Sequence, residues 1–116
     1  MSVTTQIPRD RLAEYFDAFT KRYLRQGSPE LADIEAISPE WGDQPAIQGA
    51  RLMGITYEEG DNSLEIELES GDHRVYQPAE VWVVEEPDGF VSSMEVVRRD
   101  GTREVINLKR VGARRR

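Results

Sequence analysis

The hydrophobic positions of the chain form one helical pattern followed by a series of strand patterns. Four residues recur at the period of an α-helix and make one apolar stripe: Leu12, Phe16, Phe19 and Tyr23. Pro8 suits the first turn of a helix, where its missing N–H is no loss. Gly27 and the proline soon after it suit a helix end. We therefore predict a helix over residues 8–25 whose stripe packs on the core.

The rest of the chain, residues 31–110, alternates strand patterns with turn residues. In the segment SLEIELES, Leu64, Ile66 and Leu68 point one way and the glutamates between them point the other. The segment AEVWVVEE lacks polar alternation, so we expect cover on both of its faces, with Trp82 in the core. No helical pattern separates these segments, which predicts an antiparallel meander of five or six short strands.

One helix and such a meander define an α+β fold. A single helix covers only part of the apolar face of the sheet, so the sheet must curl to hide the rest. We predict a small SH3-like or Sm-like barrel or a strongly curled sheet, and a flatter sheet under the helix is the alternative. The chain is long enough for one domain, which we place at residues 1–111, followed by a basic disordered tail at 112–116.

The last hairpin has two alternative registers around the sequence RDGT. A two-residue loop would pair Arg99 with Thr102, whereas a three-residue loop with Gly101 in the left-handed region pairs Arg98 with Thr102. Only the three-residue loop brings the apolar side chains of both strands to one face: Met94, Val96, Ile106 and Leu108. We predict the three-residue loop, with Arg99 at its tip in water.

Composition narrows the class of protein. The 116 residues include no cysteine, which removes disulfides, thiolate nucleophiles and zinc–sulfur sites. No secretory signal is visible and no apolar run approaches the roughly 20 residues that span a bilayer, so we expect a cytoplasmic protein without membrane contact. The net charge is −7, but residues 1–97 carry 7 basic and 20 acidic side chains, whereas residues 98–116 carry 8 and 2.

No residue pattern points to catalysis, a cofactor or a metal. His73 is the one histidine, and no nucleophile or orienting carboxylate can be assigned to it from the sequence. Glu65, Glu67 and Glu69 alternate along a strand, which is typical of a solvated face. The acidic turns do not match a calcium loop, and no glycine-rich phosphate loop is present. We expect no enzymatic activity, and an enzyme using the acidic face is the least favoured hypothesis.

The basic end and one tryptophan supply the candidate contact residues. Five basic side chains cluster at the last hairpin: Arg98, Arg99, Arg103, Lys109 and Arg110. Such a cluster suits phosphate groups or a protein partner, although hairpin arginines also pair with strand glutamates. Trp41, in a proline-rich loop, is the candidate exposed aromatic residue. The first hypothesis is a non-enzymatic domain that acts through protein contacts, including self-association by edge strands. The alternative is a nucleic-acid-binding module that uses the basic hairpin and tail.

The segment HRVYQPAEVWVVEEPDGFVSSMEVVRRDGTREVINL, together with the opening IPRDRLAEYFDAFTKRY, resembles a family of small bacterial domains of unknown function. The resemblance covers nearly the whole chain and implies a short helix followed by a β-rich domain with a P-x-x-V-W-V strand and two D-G turns. Its most distinctive residues are Pro78, Val81, Trp82, Asp88, Gly89, Asp100 and Gly101. These are strand and turn residues, so the resemblance implies a fold and no activity. The three arginines at the C-terminus lie outside it.

Overall fold

The computed structural model describes residues 1–26 and 30–110. The described residues form one α-helix, one 3₁₀ turn and eight strands: β1 Val3–Gln6, the 3₁₀ turn Arg9–Arg11, α1 Leu12–Gln26, β2 Glu30–Ser38, β3 Gly42–Glu58, β4 Ser63–Leu68, β5 His73–Tyr76, β6 Pro78–Glu85, β7 Val91–Arg98 and β8 Arg103–Arg110. The strands make one antiparallel sheet in the order β1-β6-β7-β8-β2-β3-β4-β5. The predicted α+β class is confirmed.

Helix α1 follows the 3₁₀ turn, in which the Arg11 N–H donates to the Pro8 carbonyl at 2.9 Å. Three members of the predicted apolar stripe are fully buried: Leu12, Phe16 and Phe19. The side chain of Tyr23, the predicted helix end at Gly27 and the predicted tail at 112–116 lie outside the described residues. Within the part of the chain that the structure describes, no helix is long and apolar enough to cross a membrane.

The sheet has eight strands where the alternation predicted five or six. Strand β1 was not predicted, because four residues are too few to show a period. Strand β3 is 17 residues long and absorbs most of the segment predicted as a loop around Trp41. It reaches this length because its first part pairs with β2 and its last part pairs with β4. The sheet therefore consists of two meanders, β6-β7-β8 and β2-β3-β4-β5, joined where β8 pairs with β2, and β1 is added beside β6.

The hairpin of β7 and β8 has the predicted three-residue loop. The Arg98 N–H donates to the Thr102 carbonyl at 2.8 Å, and the Gly101 N–H donates to the Arg98 carbonyl at 3.0 Å. Gly101 has a φ of +90°, which favours glycine at this position. The apolar side chains predicted to share one face are all buried: Met94, Val96, Ile106 and Leu108.

The expectation that Trp82 belongs to the core is wrong. Val81 and Val83 point into the core and are buried, whereas Trp82 points to the opposite face and is half-buried. Its indole N–H donates to a carboxylate oxygen of Glu80 at 2.9 Å. Strand β6 is apolar from Val81 to Val84, but only one of its faces meets the core.

A single residue, Gln77, joins β5 to β6, although five strands separate these two in the order of the sheet. Among the described residues, no ladder connects β5 with β1 or β6, so the sheet is not closed. The Gln77 N–H donates to the Asn62 carbonyl at 2.9 Å, and its carbonyl accepts from the Arg99 N–H at 3.0 Å. These bonds and the short link require the sheet to curl round on itself, as one of the predicted alternatives states.

Helix α1 covers the part of β3 that has no β2 neighbour. Strand β2 begins opposite Leu52, so the residues of β3 beyond Leu52 have no strand on that side within the described part of the chain. The Thr20 hydroxyl accepts from the Ile55 N–H and donates to the Ile55 carbonyl, both at 2.9 Å. A Cβ atom at Gly54 would lie 3.0 Å from Cγ2 of Thr20. The helix approaches this closely because residue 54 is glycine.

Replacing Thr20 with valine should lower the free energy of unfolding by about 2 kcal/mol, because two part-buried backbone groups lose their partner. Urea denaturation measures the change. The control is Thr56→Val on β3, because the Thr56 hydroxyl donates to Glu67 at an exposed site at 3.3 Å. The control should change the free energy of unfolding by less than about 0.5 kcal/mol. Equal effects of the two substitutions would contradict the role of Thr20.

Gln77→Gly should raise the free energy of unfolding by about 0.5–1 kcal/mol, because Gln77 has a φ of +51° and glycine adopts that region without a Cβ penalty. Thermal and urea unfolding measure the difference. Gln44→Gly, the same exchange at an exposed strand position, should instead lower the stability by a similar amount, about 0.5–1 kcal/mol. Destabilisation by both substitutions would show that the conformation of residue 77 is not strained.

Candidate functional site

Four of the five predicted basic side chains pair with carboxylates. The nitrogen-to-oxygen distances are 3.3 Å for Arg98–Glu104, 3.2 Å for Arg98–Asp100, 3.7 Å for Arg103–Glu95, 3.5 Å for Lys109–Asp33 and 2.5 Å for Arg110–Asp88. Arg99 is exposed at the hairpin tip and forms no ion pair with a described residue. The hairpin therefore presents a surface of mixed charge around one unpaired arginine.

Two aspartates hold the hairpin arginines through specific hydrogen bonds. The bond from Arg110, assisted by the backbone N–H of Phe90, holds the pKa of Asp88 below its ordinary value. The guanidinium of Arg110 also lies 4.2 Å from the centre of the Phe90 ring. Hydrogen bonds from Thr102, and then the charge of Arg98, lower the pKa of Asp100. A phosphate group would have to compete with these carboxylates for both arginines.

Trp41 is 76% exposed in the turn between β2 and β3. This turn lies beside the tip of the β7–β8 hairpin. A Cβ atom at Gly101 in that tip would be 3.4 Å from Cγ of Pro39. The fold thus brings the candidate aromatic residue and the tip that carries Arg99 to the same end of the molecule.

A buried carboxylate that the sequence analysis did not select connects β5 with β8. The side chain of Glu104 is 4% exposed; it lies 2.7 Å from Nε2 of His73 and 3.3 Å from Nη1 of Arg98. Because β2, β3 and β4 lie between β5 and β8 in the sheet, a flat sheet would hold these strands roughly 19 Å apart. The alternation of β8 was the sequence signal for this burial, because Glu104 lies on the same inward face as Ile106 and Leu108.

The three alternating glutamates of the segment SLEIELES each contact a neighbouring side chain. Glu65 lies 3.2 Å from Arg74, Glu69 lies 3.5 Å from Arg51, and Glu67 accepts from a threonine hydroxyl. Residues 1–26 and 30–110 contain no group of three or more histidine, cysteine, aspartate or glutamate side chains that could hold a metal ion.

Strand β1 has a neighbour on one side only among the described residues. The Ile7 N–H donates to the Val81 carbonyl of β6 at 2.8 Å. Backbone groups of successive strand residues point to alternate sides, so those of Thr5 and Val3 also face β6. The N–H and C=O groups of Thr4 and Gln6 therefore point away from the sheet, toward its free edge.

The edge of β1 is short, at four residues, but it lacks the other devices that usually protect such strands. Charged residues, proline, bulges or a covering helix commonly protect exposed edges. Residues 2–7, Ser-Val-Thr-Thr-Gln-Ile, carry no charge and no proline. All four residues of β1 are exposed, and Val3 is 60% exposed. The opposite edge of the sheet is different, because Gln77 ties β5 to the next strand.

A groove of about 470 Å³ lies between β1 and α1. Its lining includes Ile7 and Pro8 from the β1 side and Glu14, Tyr15 and Ala18 from the helix. The Tyr15 hydroxyl is buried without a hydrogen-bond partner among the described residues. Burial, and then the charge of Glu85, raises the pKa of Tyr15. The groove thus combines apolar side chains, a neutral hydroxyl and the mutually paired Arg11 and Glu14 beside a free strand edge.

Comparisons with known proteins assign the chain to a family. Residues 3–114 match a family described as a family of unknown function, DUF5335. The chain is also 34% identical over 108 residues to an uncharacterized protein of Aquifex aeolicus strain VF5, covering 91% of this chain and 92% of that protein. No solved structure matches the chain. The resemblance to a bacterial family of unknown function is thereby confirmed.

Arg98→Met should lower the free energy of unfolding by about 2–3 kcal/mol, because the buried carboxylate of Glu104 would lose its strongest counter-charge. The neighbouring substitution Arg103→Met is the control, since the ion pair of Arg103 with Glu95 is exposed. Exposed pairs contribute little, so the control should cost less than about 0.5 kcal/mol. Urea denaturation of both variants measures the difference, and a small effect at Arg98 would contradict a structural role for the cluster.

Proposed function

The chain belongs to the family of unknown function DUF5335, and from that premise we propose that it is a non-enzymatic protein-interaction domain whose site is the edge of β1. The partner adds an extended segment to this edge as a ninth strand. Strand addition of this kind obtains affinity from main-chain hydrogen bonds and specificity from alternate side chains. The proposal assigns no catalytic step to the domain.

The observation that carries the proposal is the outward direction of the backbone groups of Thr4 and Gln6. Water satisfies these groups in the isolated chain, and an antiparallel segment would satisfy them with its own N–H and C=O groups. The uncharged run over residues 2–7 places no like charge against the incoming strand. A surface strand without protecting charges is the arrangement that proteins otherwise avoid.

The groove between β1 and α1 sets the chemistry of the partner. Thr5 and Ile7 lie opposite the buried residues Val83 and Val81 of β6, so their side chains belong to the core side of the sheet. Side chains of an added strand on that side would face Ile7, Pro8 and Ala18. The partner is therefore an uncharged segment rich in β-branched residues, with an apolar side chain at the groove.

Nucleic-acid binding by the basic hairpin, the alternative, has less support. Of its five candidate side chains, four already contact carboxylates. The exposed Trp41 and Arg99 remain as the pair that could stack on and contact a single strand. Both lie at the hairpin end, so the two functions depend on different residues.

The proposal predicts that a phage-displayed library of random decapeptides, selected against the full chain, yields peptides that bind at β1. Backbone amide signals of residues 2–7 should shift on peptide addition in NMR spectra. Thr4→Pro should weaken binding at least tenfold, because it removes one outward N–H and no bond to β6. Thr4→Val, which keeps that N–H, is the matched control and should bind like the natural chain.

Failure to recover any such peptide, or binding that Thr4→Pro leaves intact, would overturn the proposal. A labelled single-stranded RNA is titrated in parallel. RNA binding that is lost in Trp41→Ala and Arg99→Gln but kept in Thr4→Pro would instead favour the nucleic-acid alternative.

A further inference from the structure

We propose that the strand added to β1 is β1 of a second copy of this chain. The two strands run antiparallel about a two-fold axis, with Thr4 of one copy opposite Thr4 of the other. The inference rests on the proposed function, because it names the partner at the same edge. It commits to one register, which the backbone directions and Pro8 select.

Two registers set Thr4 opposite an outward residue of the second copy's β1 and so form hydrogen-bonded pairs. The first sets Thr4 opposite the second copy's Thr4 and Gln6 opposite the second copy's Ser2. The second sets Thr4 opposite the second copy's Gln6, and thereby sets Ser2 opposite the second copy's Pro8. Proline has no N–H, so the second register leaves the Ser2 carbonyl unpaired. The first register makes about six backbone hydrogen bonds and leaves no outward group of these residues unpaired.

The first register also matches the faces of the two sheets. Directly opposed residues share a face, and here Val3 lies opposite the second copy's Thr5. Both belong to the core side of their own strand, as judged from the alternation with Ile7. The pairing therefore covers Val3, which is 60% exposed in the single chain. β-Branched residues opposite each other are favourable neighbours in antiparallel sheets.

Charge sets the strength and the salt dependence of the pairing. Each copy has a net charge of −7, so two copies repel at long range, while the uncharged edge adds no local repulsion. Salt screens this repulsion, so self-association should strengthen as salt rises. Binding to nucleic acid would show the opposite salt dependence. The paired strands are short, so we expect a dissociation constant on the order of 10–100 μM, as for interfaces below standard size.

Single cysteines test the register, because the chain has none of its own. In the proposed pair, the Cα atoms of the two Thr4 residues lie about 5.5 Å apart, within the range that a disulfide bridges. Thr4→Cys should therefore form a disulfide-linked dimer under mild oxidation. Gln6→Cys is the matched control: it is on the same face, but the Cα atoms of its two copies lie roughly 14 Å apart and should not cross-link.

Sedimentation equilibrium of the full chain, from about 10 to about 500 μM, measures the association itself. The expected result is a monomer–dimer equilibrium that Thr4→Pro shifts to monomer and Thr4→Val does not. Monomer throughout this range, a dimer that persists in Thr4→Pro, or faster cross-linking of Gln6→Cys than of Thr4→Cys would overturn the inference.

The peptide selection separates this inference from the proposed function. A chain that stays monomeric yet binds selected peptides at β1 keeps the proposed function and loses the second copy as partner. If the chain neither dimerises nor binds selected peptides at β1, both the inference and the proposed function are wrong.

Discussion

The single-residue link at Gln77 is the constraint on which the rest of the structure depends. It holds β5 next to β6, although these strands are far apart in the order of the sheet. The sheet must therefore curl, and the curl encloses one core against which α1 packs. The same curl brings the partly exposed His73 to the buried carboxylate of Glu104, which also pairs with Arg98. Thr20 completes the cover by satisfying the backbone of β3 where β2 is absent.

The curl also makes the two edges of the sheet, β1 and β5, unequal. Strand β5 is tied through Gln77 to the strand that follows it, whereas β1 ends the sheet with no strand beyond it among the described residues. The free edge carries the unpaired backbone groups of Thr4 and Gln6, and it borders a groove formed with the helix. This inequality, and not any cluster of reactive side chains, is what supports our proposal of an interaction domain. An added strand would extend the sheet in the one direction that the curl leaves open.

The basic hairpin shows how a charge pattern in a sequence can mislead. Arg98 and Glu104 are close in sequence, but they pair because both side chains lie on the inward face of the hairpin near its loop. Arg110 and Asp88 are distant in sequence, and the fold brings them together. Acidic residues earlier in the chain thereby pair with three of the five basic residues of the hairpin. Arg99 at the loop tip is left as the exposed arginine beside the turn that carries Trp41.

The sequence by itself determined the elements whose signal is local: the apolar stripe of α1, the alternation of β4, and the three-residue loop closed by Gly101. Each depends on contacts between residues near in the chain, so period and turn chemistry suffice to find them. Only the tertiary structure decided that Val3–Gln6 is a strand, that Trp82 faces away from the core, and that His73 meets Glu104. These features depend on which strand lies beside which, and strand order is set by burial across the whole sheet. The candidate site belongs to the second group, because an edge exists only once the other strands have taken their places.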